Sequence, residues 1–263
     1  MLKRRQAVTN QEDRRRFLIR VFAGAGTLFL AGCDQLSKSE WVQSLLSNDS
    51  RISRFTHRLI GPRKAMAQEF SEADLSPEFR SNGTSTPNNP AYQELAKNDF
   101  KDWALEVGGL VEKPQKFTLE QIRALPSRTQ ITRHDCVEGW SAIGKWKGTP
   151  LLEILSIVGV KSNAKFLVFH CADPMEDDGT NNYYESIDLE DAFHPQTILA
   201  YELNDKTLPV PNGAPIRVRV ERQLGYKMAK YIMRIELVDS FEHIAGGKGG
   251  YWEDQGYEWY AGI

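Results

Sequence analysis

Apolar and charged residues alternate strictly through Ile216-Arg217-Val218-Arg219-Val220-Glu221. A period of two is the signature of an extended strand, with Ile216, Val218 and Val220 on one face and Arg217, Arg219 and Glu221 on the other. A strand with one apolar face needs neighbours to pair with and a second layer to cover it. Just before it, Asn212-Gly213-Ala214-Pro215 has turn chemistry, and just after it stand Arg222, Lys227 and Lys230. So many cations around one strand suit an anion such as a phosphate-bearing group, because guanidinium binds phosphate through two parallel hydrogen bonds and ammonium adds charge. An ordinary solvated strand face is the alternative reading.

The neighbouring segments extend the sheet. Trp103 to Val111, Arg128 to Val137, Ala164 to His170, Tyr183 to Ile187, Thr197 to Glu202 and Arg234 to Val238 are predicted strands. Thr118 with Gln121 is a capping box that opens a short helix stopping before Pro126. Thr149-Pro150 starts another helix, with proline at its first position and Gly159 past its end. There is no repeat and no regular alternation of strand and helix. The expected fold is therefore α+β, a mixed, β-rich sheet domain with short helices, spanning residues 86–263.

A second landmark is Arg133-His134-Asp135-Cys136-Val137-Glu138-Gly139-Trp140-Ser141. Cys136 reads as a metal ligand: a thiolate is a soft donor for transition metals, and a neighbouring His and Arg would help keep the sulfur ionised. It reads equally as a small buried hydrophobe. Only Cys136 and Cys171 follow Cys33; they could form a disulfide, though not if one is a ligand.

The amino terminus bears on where the domain works. Asp13-Arg14-Arg15-Arg16-Phe17-Leu18 is a paired-arginine region, and Val21 to Ala31 is apolar but shorter than the about 20 residues a membrane span needs. The pair resembles a twin-arginine export signal, and Leu30-Ala31-Gly32-Cys33 resembles a lipobox whose cysteine is acylated, giving an expected lipid anchor at Cys33. A cut after Ala65-Met66-Ala67 competes with it. Residues 1–33 are thus the expected signal, 34–85 a linker or membrane-proximal tether. With a net charge of −2 overall and +5 in residues 1–20, the chain beyond the signal carries −7, which argues against nucleic acid as a partner. The expected location is the periplasm or the periplasmic face of the membrane.

Taken together, Arg133 to Ser141, Asn212 to Arg217 and Tyr226 to Lys230 resemble, in order and with similar spacing, the molybdopterin-binding domain of the sulfite oxidase superfamily. Within it they are most similar to the catalytic subunit of bacterial periplasmic methionine sulfoxide reductases, over about Pro87 to Val238. The resemblance implies molybdenum and molybdopterin as cofactors, Cys136 as the protein thiolate on the metal, and Glu138 lining the metal pocket. It assigns cofactor contacts to Asn212, Arg217, Met228, Ala229 and Lys230. Asn88 or Asn89, with Tyr92, matches an Asn-Asn-Phe-Tyr-Glu segment, although Asn-Asn-Pro-Ala-Tyr-Gln is one residue longer and leaves the register open. Cys171 falls where the relative has a cofactor-contacting threonine.

Departures from the family narrow the expectation. Sulfite oxidases follow their ligand cysteine with an Ala-Gly-Asn-Arg-Arg-like run; here Val137-Glu138-Gly139-Trp140-Ser141 stands instead, and Gln93-Glu94-Leu95 supplies no arginine for a sulfite dianion. The expected reaction is reduction of an S-oxide or N-oxide, on a small molecule or an oxidised side chain. Sulfite oxidation and a cofactor-free surface lipoprotein are the alternatives. A separate electron-transfer protein, a membrane haem protein or a soluble cytochrome, is the expected donor. Two hydrolase readings are weaker: a zinc site from His134, Cys136, His170 and Cys171 has unusual ligand spacing, and Gly139-Trp140-Ser141-Ala142-Ile143 lacks the second glycine of a nucleophile elbow. The terminal Gly246 to Tyr260 stretch reads as a flexible glycine run followed by aromatics, folded over the pocket, docked on the donor, or simply packed on the core.

Overall fold

In the computed structural model, residues 65–176 and 178–263 are described. The export signal, the lipobox and residues 34–64 of the expected tether lie outside them. No helix among the described residues is long and apolar enough to cross a membrane.

Two five-stranded sheets form the body. The first has the order β2 (Gln115–Thr118), β1 (Ala104–Gly109), β10 (Ile232–Val238), β5 (Phe166–Pro174), β6 (Asn182–Asp188), with β1 and β10 parallel and the other pairs antiparallel. The second has the order β3 (Arg128–Asp135), β4 (Ser141–Pro150), β7 (Ile198–Leu203), β8 (Lys206–Thr207), with β9 (Arg217–Arg219) paired to the other end of β7. The larger apolar core includes Leu105, Leu167, Phe169, Val218, Ile235 and Leu237. A smaller one gathers Phe79, Trp146, Ile198 and Leu208. The α+β expectation holds, with short helices between the strands.

Local signals act as expected at several points. The Thr118 side chain accepts from Gln121 N at 3.2 Å and the Gln121 side chain accepts from Thr118 N at 2.9 Å, so the capping box opens α2 (Leu119–Ala124). The helix α3 (Leu151–Val158) ends at Gly159, but Pro150 is its N-cap and the last residue of β4 rather than its first helical residue. The α1 helix (Pro90–Lys97) and the strands β2, β4 and β8 escaped the sequence reading.

Two expectations need correcting. The charged face of the 216–221 segment is not solvated: Arg217 and Arg219 are fully buried and Glu221 nearly so. The last stretch before residue 86 lies on the domain instead of trailing from it. Phe70 N donates to Ile131 O at 2.9 Å, Gln196 exchanges hydrogen bonds with Ala67, and Phe79 packs edge-on against Trp146 at 4.9 Å. This arm delivers Asn82, Gly83 and Thr84 to the mouth of the site.

Candidate active site

Cys136 sits one residue beyond the end of β3, in a turn closed by Cys136 N donating to Trp140 O at 2.9 Å and Gly139 N donating to Cys136 O at 3.0 Å. Alternation along β3 decides what surrounds it. His134 points inward and is fully buried, whereas Arg133 points out and pairs with Asp135 at 2.9 Å. Neither supports the thiolate as expected. Burial pushes the Cys136 thiol up; Glu138 raises it further while the Glu138 amide and the Arg80 guanidinium, carried by the arm, pull it down. A bound soft cation is the kind of charge that would reverse this.

The cysteine opens onto a cavity of about 290 Å³. Four parts of the chain meet around it. The arm supplies Asn82, Gly83 and Thr84; the ends of β3, β5 and β6 supply Cys136 with Glu138, Asp173 and Tyr183; the turn Gly225–Met228 adds Tyr226 and Met228, with Lys230 beside them. The terminal segment contributes Trp252 and Tyr257. Gly225 is required here: a Cβ would lie within 2.5 Å of Cε1 of the His134 ring, so nothing larger than glycine lets the turn approach β3.

Four of the expected residues, Cys136, Glu138, Met228 and Lys230, therefore line one cavity. Asn212 and Arg217 lie directly behind it: Arg217 Nη1 donates to Asn212 O at 3.2 Å and Nη2 to Met228 O at 3.1 Å. The others are not in the lining. Asn88 is exposed. Asn89 caps α1 through Tyr92 N and donates to Ala172 O, and the Tyr92 hydroxyl donates to Ala214 O at 2.6 Å, bracing the Asn212–Pro215 turn. Cys171 and Ala229 face the larger core. Both cysteines are free thiols.

The cations around β9 divide into two groups. Arg219 pairs with Glu221 at 2.6 Å, Lys227 with Glu185 and Glu253 at 2.5 Å each, and Arg222 with Asp191. Arg217 and Lys230 make no ion pair among the described residues. Lys230 Nζ donates only to the carbonyls of Asn82, Thr84 and Pro211. Burial, reinforced by Arg219, lowers the Arg217 pKa to about 9; burial and Arg217 lower Lys230 to about 7. Two desolvated, unmatched cations are costly unless an anion meets them. Beside them, Arg217 Nε, Asn212 Nδ2, His134 Nε2 and Asn82 Oδ1 are buried without hydrogen-bond partners. That set fits a phosphate-bearing, hydrogen-bond-rich cofactor whose metal end reaches the thiol. No cluster of three His, Cys, Asp or Glu side chains poised for a metal occurs among the described residues, which removes the zinc arrangement.

The arm residues, Asp173 and Tyr183 were not foreseen as lining, whereas a fold of the terminal aromatics over the pocket was one of the three readings of that stretch. An Asn-Gly pair at 82–83 and an Asp-Pro step at 173–174 were the available signals, and neither is specific.

Comparisons with known proteins agree with this geometry. Residues 92–243 match the family described as "Oxidoreductase molybdopterin binding domain". The putative protein-methionine-sulfoxide reductase subunit YedZ1 of Azospira oryzae is 38% identical across 95% of this chain and 87% of the relative. The protein-methionine-sulfoxide reductase catalytic subunit MsrP of Xanthomonas campestris is 30% identical across 89% of this chain and 72% of its own length. The MsrP of Xanthomonas axonopodis is 37% identical over 54% of this chain and 47% of its own.

Proposed function

The chain belongs to the oxidoreductase molybdopterin-binding family, and on that premise we propose that the cavity at Cys136 removes oxygen from a neutral S-oxide, with an oxidised methionine side chain as the preferred class. It is a molybdopterin-dependent oxidoreductase that uses molybdenum. When bound, that centre supplies a two-electron couple able to accept an oxygen atom.

Each protein group then has a physical task. Cys136 would provide the thiolate that ties the metal to the end of β3. Arg217 and Lys230 would hold the phosphate, and the unpartnered nitrogens of Asn212 and His134 offer donors to the remaining polar edge. Glu138, fixed by Trp140 Nε1 at 2.9 Å, keeps the mouth acidic. In the net reaction the S–O bond breaks, sulfur retains an electron pair, and the oxygen leaves as water with two protons. The two electrons come from a separate donor protein, for which a membrane haem protein is the leading class and a soluble cytochrome the second.

The carrying observation is that the unmatched cations are held away from the open cavity, Arg217 behind it and Lys230 on backbone carbonyls, while the Glu138 carboxylate stands in the lining. Among the described residues Lys230 is the only cation in the lining, and it is turned onto backbone carbonyls. A sulfite dianion finds repulsion from Glu138 there, whereas an uncharged S-oxide does not. The test is to compare kcat/KM for reduction of peptide-borne methionine sulfoxide, driven by a reduced viologen, with kcat/KM for sulfite oxidation by an artificial acceptor. Preference for sulfite would overturn the reading.

Export by the twin-arginine route, a periplasmic site of action and acylation of Cys33 complete the proposal. The support is the residue pattern at 13–33: a folded, cofactor-loaded protein needs a route that carries folded cargo. Replacing Arg15 and Arg16 by lysine should leave the protein in the cytoplasm.

A further inference from the structure

The terminal stretch has no role in the function argued so far, yet it returns to the cavity. Gly250 bridges to Glu185, and a Cβ there would meet the Glu253 carboxylate and lie 2.8 Å from Glu185 Oε1. Lys227 holds both carboxylates, all three side chains being buried. Glu185 is pushed well up by burial and by Glu253, while Lys227 stays high because the two carboxylates outweigh its burial. Around this anchor Asp254 accepts from the Tyr184 hydroxyl at 2.5 Å and from Gly246 N at 2.9 Å, and Trp259 Nε1 donates to Ser186 Oγ at 2.8 Å. The segment expected to be flexible is tied down on both sides of the short helix α4 (Tyr251–Asp254).

So fixed, Trp252 and Tyr257 both line the cavity that holds Cys136. Their rings stack at 5.3 Å with planes 29° apart, and Tyr226 meets Tyr257 edge-on at 5.3 Å and 89°. Tyr257 nevertheless remains 42% exposed. Two of the lining tyrosines have their polar ends already used: the Tyr226 hydroxyl donates to Glu258 O at 2.6 Å and the Tyr183 hydroxyl to Tyr226 O at 2.5 Å. Three aromatic side chains and Met228 thus share this part of the lining.

We infer that Trp252, Tyr257 and Tyr226 form the substrate recess, an aromatic wall that grips the S-methyl and side-chain methylenes of a methionine sulfoxide while its S–O bond is presented toward Cys136. The inference rests on the S-oxide reading and names the residues that select its substrate. Polarisable sulfur and its methyl group pack favourably on aromatic faces. A substrate with no apolar part, such as sulfite, gains nothing from the wall. The Lys227–Glu185–Glu253 cluster acts as its positioning device.

The test uses the cofactor-loaded enzyme and its Trp252→Ala and Trp252→Phe variants. Binding of N-acetyl-methionine sulfoxide amide is measured by equilibrium dialysis without an electron donor, and KM and kcat are measured with one. Trp252→Ala should raise Kd and KM about tenfold with kcat per molybdenum within about twofold, and Trp252→Phe should stay within about threefold of the parent. Unchanged Kd in Trp252→Ala would overturn the recess. If Trp252→Ala does not load cofactor, Tyr257→Leu is measured in the same way, with the same expected and contrary results. A parent that binds the S-oxide but fails to reduce it whichever electron donor is supplied would contradict the reductase reading while leaving the recess standing.

Discussion

Arg219 Nη1 lies 2.9 Å from Nδ1 of His134, a residue 85 positions earlier. A guanidinium can only donate, so Nδ1 must accept and the ring proton belongs on Nε2. Burial, together with Arg219 and Arg217, holds the imidazole pKa well below its ordinary value, so the ring stays neutral. Arg219 is clamped in turn by both oxygens of Glu221, and Glu221 accepts from Gln130 at 2.8 Å. This chain of hydrogen bonds ties β9 to β3 and sets the strand from whose end Cys136 projects.

Breaking the clamp should be expensive. Glu221→Leu leaves the Arg219 cation buried beside a neutral ring, and a loss of about 3–5 kcal/mol is expected. Urea unfolding of the apoprotein measures it; a loss under about 1 kcal/mol would mean that Arg219 finds water or another acceptor.

Gly225→Ala tests the close approach of the turn to β3. The added methyl meets a ring that Arg219 prevents from swinging aside, so the backbone must yield. The expected cost is about 1–3 kcal/mol, read as a lower urea midpoint at unchanged slope. Cofactor loading should fall with it, because the displaced turn carries Tyr226 and Met228 into the lining.

Arg217→Gln separates cofactor binding from folding. Removing a buried, unpaired cation relieves the apoprotein, so its stability should hold or rise, while pterin content per chain should fall at least about tenfold. Fluorescence of the released pterin after denaturation gives the second quantity. Parental pterin content in this variant would remove Arg217 from the cofactor's phosphate.

The apoprotein should also show an unusual pH dependence. Burial raises the Asp173 pKa from 3.8 to about 7, so between those values the folded state keeps a proton that the unfolded chain has released. Its stabilising contribution is complete below about pH 4 and is lost as pH rises through about 7, a change on the order of a few kcal/mol. Lys230 has the opposite sign: with its pKa lowered to about 7 from 10.5, stability recovers above pH 7. Urea midpoints should therefore decline from pH 5 to 7 in the parent, and the decline should be reduced in Asp173→Asn.

Much of the architecture was readable because it rests on local rules. The Thr118–Gln121 box, the strand period at 216–221 and the glycine after Val158 needed no distant partner. β4 was missed because Gly144 and Gly148 interrupt its pattern; Gly148 is needed where β4 presses against Leu199 and Ala200. The burial of Arg217 and Arg219 was equally hidden, since what makes it tolerable comes from Gln130, His134 and the Asn212 turn, all remote in sequence or visible only as geometry. In the site, Cys136, Glu138, Met228 and Lys230 followed from motif resemblance. For Trp252 and Tyr257 the choice between pocket, donor and core stayed open, because their placement depends on Glu253 reaching Lys227 across 26 residues.

The most direct test of the central claim is molybdenum content and S-oxide reduction in the purified enzyme and in Cys136→Ala. The account predicts about one molybdenum with its pterin per chain and steady S-oxide turnover in the parent, and loss of turnover with depleted molybdenum in the variant. Full activity in Cys136→Ala, or a folded parent from cofactor-competent cells that carries zinc or no metal, would contradict it.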